Sequence, residues 1–274
     1  MCISMIYREC KIPKVIHLCW FSGDKYPKMV EKCIDSWKNV LPDFSIKVWT
    51  SEMAKETKIP YVLEAIKVKK WAFAADVIRL HALYTEGGIY MDSDILVKRR
   101  FDQFMNNRLV MFQEYHKHLV SKIPKEQLDY DGRNLYFGKN VCGIGIQAAF
   151  FMSEKGHPFL KELLDYYTDR HFILEDNSYD VNLIAPDIYA MSAEKHGYRY
   201  VNEKQDLGEG IFIYPSNFVA GGLYENSKEA FAVHCILHSW FEDSFWVKFK
   251  KSIKRFVKND DPIRLIDSII NEKC

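Results

Sequence analysis

Apolar residues change their spacing several times along the first fifty positions, and each change marks an element. In KIPKVIHLCWF the run from Val15 to Phe21 follows a proline and predicts a strand. GDKYP turns the chain. MVEKCIDSWKNVLP then sets Met29, Cys33, Ile34 and Trp37 on one face of a helix that Pro42 closes. FSIKVWT predicts a second strand. A strand, a helix and a strand in about forty residues make a βαβ opening, which requires a parallel sheet with both faces covered.

The next pattern is longer. From about Tyr61, VLEAIKVKKWAFAADVIRLHALYTEGG predicts one continuous helix. Leu63, Ile66, Ala74, Ile78, Leu80 and Leu83 supply its apolar surface, and Gly87 and Gly88 stop it. IYMDSDILV follows as a strand, and FDQFMNNRLVMFQEY as a turn and another strand. The polar stretch HKHLVSKIPKEQLDYDGRNLYFGKN predicts a long mobile or substrate-covering segment. VCGIGIQAAFFMSEKGHPF returns to core-like character, with helices expected from about Pro158 to Arg170 and from Ile184 to His196. IFIYPSNF is a short strand. Neither a repeat nor a low-complexity linker divides the chain, so residues 1–245 are expected to form one α/β domain.

Residues 246–274 differ. Trp246, Phe249, Ile253, Phe256 and Val257 recur at helical spacing among Lys248, Lys250, Lys251, Lys254, Arg255 and Lys258. Such a basic amphipathic extension suits peripheral contact with an anionic membrane surface, or equally a helix packed on the domain with its basic face in water.

Composition narrows the class only a little. A chain of 274 residues can bury one large core, and 48% apolar with 27% charged residues is ordinary for a globular protein. The 18 Phe, 16 Tyr and 6 Trp suit sugar or base stacking, but also a plain aromatic core. A net charge of +1 gives no global reason to expect nucleic acid as a partner. No run of eighteen apolar residues predicts a membrane span. The first ten residues are too short for a signal peptide and carry Glu9. Seven scattered cysteines without a CxxC pair predict free thiols and a cytoplasmic home, at most peripheral on the inner face of the membrane.

Two carboxylates carry the candidate chemistry. Read as one strand, GGIYMDSDILV puts Asp92 and Asp94 on the same face and Ser93 on the other. Like charges so placed raise each other's cost unless a cation is shared. They lie near the C-terminal end of a strand, where open α/β sheets bind ligands. Magnesium or manganese bridging a diphosphate is the natural partner, against the alternative of two solvated strand-end aspartates. One helix earlier, Asp76 and Arg79 stand three residues apart. They either form a local salt bridge or face the same cleft, where Arg79 would grip a phosphate or hydroxyl bidentately.

IPKVIHLCWF, AADVIRLHALYTEGGIYMDSD and the late HCILHSW together resemble the glycosyltransferases of family 32. That family includes bacterial capsule and lipopolysaccharide sugar transferases, yeast mannosyltransferases and, more distantly, glucosylating toxins. The likeness spans most of Ile12 to Trp240. It implies a GT-A fold, a Rossmann-like sheet flanked by helices that binds a nucleotide sugar. It implies manganese or magnesium held by Asp92, Asp94 and His234, with Asp94 as the direct ligand. It further implies that Trp20 stacks on the base, that Ser239 and Trp240 close over the donor, and that Asp76 and Arg79 grip the transferred sugar. The implied reaction retains anomeric configuration. A hexose, with galactose or glucose favoured, would pass from a UDP-sugar to a saccharide or lipid-linked oligosaccharide acceptor in surface polysaccharide synthesis.

The chain also departs from the family pattern. Cys235 stands where a second histidine often follows, and His238 replaces a small residue, so His238 competes with His234 for the metal. NLIAPDIY lacks a threonine-glycine-proline, which leaves the acceptor side open. His17 is expected to pack in its strand instead of acting as a catalyst. Asp180 and Gln147 are either near the reacting sugar or ordinary loop and sheet residues. A front-face mechanism needs neither, because the leaving phosphate takes the acceptor proton. The other classes open to the same carboxylates are a metal-dependent phosphatase or nucleotidyltransferase and a non-catalytic sugar-binding domain.

Overall fold

Val15–Cys19 (β1) and Ser45–Trp49 (β2) pair in parallel across the helix Lys28–Val40 (α1), with Val15 opposite Ser45 and Cys19 opposite Trp49. The βαβ opening is therefore present, and Cys33, Ile34 and Trp37 are buried as their spacing requires. The computed structural model describes residues 11–136, 138–235 and 262–271. Ser51–Glu56 (α2) leads to Pro60–Lys67 (α3) and Trp71–Glu86 (α4), then to Gly88–Met91 (β3) and Ile95–Val97 (β4). Leu109–Tyr115 (β5), a helical turn Lys117–Val120 (α5), Ile144–Ile146 (β6) and Phe150–Ser153 (β7) follow. Pro158–Thr168 (α6) and Ala185–Ala193 (α7) precede Gln205–Asp206 (β8), Ile211–Tyr214 (β9), Val219–Ala220 (β10) and Ala232–His234 (β11).

The main sheet runs β2-β1-β3-β7-β5-β9-β8, with β6 on β5. β1 is parallel to both its neighbours, and β7 is antiparallel to both β3 and β5. A small sheet, β10-β11-β4, stands apart. Alternation along the strands sorts side chains into two cores. Tyr90 and Phe151 join Ile78, Leu83, Leu163 and Tyr189 from α4, α6 and α7. Ile89, Met91 and Phe150 join Val30, Ile34 and Trp37 from α1. Helices thus cover both faces, and the expected α/β class holds.

Two expectations need correction. The helix predicted from Tyr61 onward is broken, because Val68–Lys70 separate α3 from α4 and Lys69 adopts φ 59°. Leu63 accordingly stays 38% exposed instead of joining the core. Nor is IYMDSDILV one strand. β3 ends at Met91, the next three residues turn, and β4 pairs in the other sheet with β11.

The glycine stop acts as its spacing predicts. Gly87 has φ 71°, and its N–H donates to Leu83 O at 2.9 Å. A Cβ on Gly88, at φ 111°, would lie 2.5 Å from Val15 O, so only glycine lets β3 close on β1. His17 locks the same corner and is fully buried. Its Nε2 donates to Gly87 O at 2.8 Å and its Nδ1 accepts from Trp49 Nε1 at 3.0 Å, which satisfies a neutral ring. Burial also lowers its pKa. His17 is a packing residue, as expected.

The helix Pro262–Asn271 lays Ile266 and Ile269 against a third cluster with Cys33, Leu96 and Val233, and Asp267 pairs with Lys32. Among the described residues, no helix is long and apolar enough to cross a membrane. The basic run from Trp246 to Lys258 lies outside the described residues.

Candidate active site

Asp92, Ser93 and Asp94 form the turn that carries the chain from β3 into β4. Ile95 N–H donates to Asp92 O at 3.1 Å and closes it. Two neighbours then fix it in space. Asp92 N–H donates to Ala149 O at 2.9 Å, and Cys235 N–H donates to Asp94 O at 2.9 Å. From the far side α1 holds β4, with Trp37 Nε1 donating to Ile95 O at 2.6 Å and Val97 N–H to Ser36 Oγ at 2.9 Å. The strand alternation that would put both carboxylates on one face therefore does not operate. A turn brings them together instead.

Behind the turn stands α4. Arg79 is 4% exposed, and its guanidinium is committed on every side. Nε donates to Ala75 O at 3.0 Å and Nη1 to Ala148 O at 2.7 Å. Nη2 lies 3.0 Å from Asp76 Oδ1 and 3.6 Å from Asp92 Oδ1. The local salt bridge of the i,i+3 pair forms, and Arg79 also lies against Asp92. A bidentate grip on a phosphate by Arg79 does not fit this arrangement, because the fork is occupied within the protein. Tyr90, whose ring lies 4.7 Å from the Arg79 guanidinium, donates its hydroxyl to Asp92 Oδ1 at 2.6 Å. Sequence reasoning missed Tyr90, although its place two residues before Asp92 was the available signal.

The last member comes from β11. His234 Nε2 lies 3.4 Å from Asp94 Oδ1. Burial opposes its charge, but Asp94 prevails and raises the imidazole to about 9. Asp92, Asp94 and His234 offer ligand atoms that all lie within 4.8 Å of one another. Neighbouring ligands at about 2.1 Å from a cation sit about 3 Å apart, so small adjustments suffice for this oxygen-rich set to hold manganese or magnesium. Asp76 is different. Burial outweighs the pull of Arg79 and raises its carboxyl to about 6. Cys19, at the end of β1 near Arg79 and Asp92, is pushed by burial up to about 12 and is no nucleophile at neutral pH.

The remaining sequence candidates are placed as follows. Trp20 extends β1, donates Nε1–H to Asp24 O at 2.8 Å and meets Tyr26 edge-on at 4.8 Å. Asp180 accepts from Arg170 Nη2 at 2.7 Å and anchors a loop. Gln147 is buried, and its Oε1 has no hydrogen-bond partner among the described residues. Cys235 is buried with its Sγ 4.0 Å from Cys33 Sγ. His238, Ser239 and Trp240 lie outside the described residues.

The sequence profile of the family described as "Capsular polysaccharide synthesis protein" matches residues 4–196. The chain is similar to inositol phosphoceramide mannosyltransferase 3 of Schizosaccharomyces pombe, 33% identical over 106 residues, 36% of this chain and 29% of that protein. It is also similar to the initiation-specific alpha-1,6-mannosyltransferase of Candida albicans, 27% identical over 176 residues, 60% of this chain and 44% of that protein. It thus spans less than half the length of these relatives. Among solved structures, PaToxG glycosyltransferase aligns with a TM-score of 0.47 and 17% identity over 67% of this chain and 69% of that one.

Proposed function

The chain belongs to the capsular polysaccharide synthesis protein family, and from that premise we propose that it is a GT-A glycosyltransferase. It takes a hexose from a nucleotide sugar, with a UDP-linked donor favoured, and passes it to a saccharide or lipid-linked oligosaccharide acceptor during surface polysaccharide assembly. The observation that carries this reading is the convergence of Asp92, Asp94 and His234 on one point, with Asp76 and Arg79 directly behind. Asp76, Asp92 and Asp94 face one permanent cation, Arg79, and a divalent ion that displaces the proton of His234 would balance the remaining negative charge.

Asp92, Asp94 and His234 would hold a divalent cation, and bound there it would neutralise the diphosphate as the glycosidic bond breaks. The rest of the work falls to the chain itself. Tyr90 and Arg79 orient Asp92, and Cys235 N–H holds the Asp94 backbone, so the ligands are preorganised before a donor binds. Asp76, held against Arg79, accepts hydrogen bonds from hydroxyls of the transferred sugar. Trp20 stacks on the base, and Ser239 and Trp240 cover the diphosphate. The acceptor proton leaves to the departing phosphate on the same face, which retains configuration without a protein nucleophile.

A hydrolysis screen tests the proposal, using UDP-galactose, UDP-glucose, their N-acetylated forms and GDP-mannose with manganese present. At least one donor should turn over, and Asp94→Asn should abolish the manganese dependence of UDP binding. UDP binding indifferent to both metal and substitution would refute the metal assignment.

A further inference from the structure

A cleft of about 580 Å³ that shares no residue with the Asp92 site opens between residues 133–138 and α7, with Tyr166 of α6 at its side. Small-molecule sites fall in this size range. One segment fixes its shape from both ends. Asn134 Nδ2 donates to Glu194 Oε1 at 3.0 Å just past the end of α7, and Asn140 Nδ2 donates to Asp187 Oδ2 at 3.2 Å in the first turn. Tyr200 N–H donates to Gly132 O at 2.7 Å and anchors the approach. The chain from 134 to 140 is thereby held along the helix.

Two kinds of surface meet in the cleft. Leu183, Ile188 and Met191 give it apolar walls. Leu135, Tyr136 and Ile184, which flank lining residues in the chain, are exposed. Single exposed apolar side chains are ordinary, but several beside an apolar cleft mark an interaction surface. The charges are unequally committed. Glu194 Oε1 also accepts from Tyr200 OH at 2.7 Å, and Lys195 pairs with Glu162 at 2.9 Å. The Arg133 side chain makes no hydrogen bond or ion pair among the described residues. Lys139 adds a second cation at the rim, its Nζ 5.4 Å from the Tyr136 ring centroid.

We propose that this cleft binds one phosphate-bearing lipid molecule, with the phosphate on Arg133 and the adjoining part of the tail along Leu183, Ile188 and Met191. A guanidinium without a protein partner takes phosphate oxygens in a fork. A free phosphate ion would leave the apolar walls in water. An uncharged saccharide would press hydroxyls against aliphatic side chains and leave Arg133 unused. An anionic amphiphile satisfies both surfaces. The lipid site is independent of the transferase reading, since no residue of the Asp92 site lines the cleft.

Isothermal titration of the full chain with dihexanoyl phosphatidic acid, kept below its micelle concentration, tests the site. Inorganic phosphate and maltotriose are the charge-only and saccharide probes, and each should bind about 10-fold or more weakly than the lipid. Arg133→Gln should weaken the lipid about 10-fold or more, the worth of a hydrogen bond to a charged group. Met191→Gln should weaken it about 3- to 10-fold through lost apolar contact. Arg133 is exposed and Met191 half-buried, so neither change should alter Tm or donor hydrolysis. Lipid affinity unchanged in Arg133→Gln would place the anion elsewhere, for instance on the Lys248–Lys258 run, and would overturn the site. A loss in Arg133→Gln but none in Met191→Gln would mean a phosphate bound without a seated tail, and would overturn it as well. So would phosphate or maltotriose binding as tightly as the lipid, or no lipid binding at all.

Discussion

Replacing Asp76 by asparagine should make the protein more stable and less active. The Asp76 side chain is 17% exposed, and burial raises its carboxyl from 3.8 to about 6 even with Arg79 at 3.0 Å. That shift corresponds to about 3 kcal/mol and already includes the attraction of Arg79. A carboxyl with a folded pKa above its unfolded value keeps its proton longer in the folded chain. Its ionisation therefore costs stability progressively between about pH 3.8 and pH 6, and in full above pH 6. Asparagine keeps an oxygen for Arg79 but never ionises, and Asp92 remains as a counter-charge. The variant should match the unaltered protein near pH 4 and exceed it by about 3 kcal/mol above pH 6, a rise of roughly 6 °C in Tm. Urea unfolding of both proteins between pH 4 and pH 8 measures the difference, and donor hydrolysis should fall in parallel. A difference that stays flat or shrinks with rising pH would refute the reasoning, because Asp76 would then be a carboxylate stabilised by its partner. The predicted pattern would identify Asp76 as a residue kept for function at the expense of stability.

Two further outcomes follow from the same physical reading. Trp37→Phe removes the donor to Ile95 O and leaves that carbonyl unpaired beneath the Asp92–Asp94 turn; it should destabilise by about 1–3 kcal/mol in urea unfolding and lower manganese affinity with it. Replacing Lys248, Lys250, Lys251 and Lys254 by glutamine removes the charge of the basic run while keeping the helix Pro262–Asn271 that packs on the core, and it should weaken sedimentation with anionic liposomes while sparing donor hydrolysis; equal sedimentation would dismiss the membrane role.

Much of the scaffold was legible from local pattern. The βαβ opening follows from apolar period and the placement of Pro42, because the residues that shape each element are its own. The Gly87 and Gly88 stop was equally local, although the reason for the second glycine was not. Val15 O, which excludes a side chain there, lies more than seventy residues earlier. The break between α3 and α4 left no signal, since Val68, Lys69 and Lys70 contain neither glycine nor proline, and Lys69 adopts its positive φ without one.

For the site, sequence by itself determined which residues are candidates for the chemistry: two aspartates two positions apart, an aspartate–arginine pair one helix earlier, and a late histidine. The tertiary structure alone decided how they meet. Asp92 and Asp94 converge because the chain leaves one sheet and enters another between them, and β4 pairs with β11, which delivers His234. Arg79 turned out to organise Asp76 and Asp92, since Ala148 O, from a strand end about seventy residues away, occupies part of its fork. Alternation and helical spacing describe neighbours along one element. Which carbonyl or carboxylate a buried guanidinium satisfies depends on desolvation and on the groups that packing brings to it, and those come from distant parts of the chain.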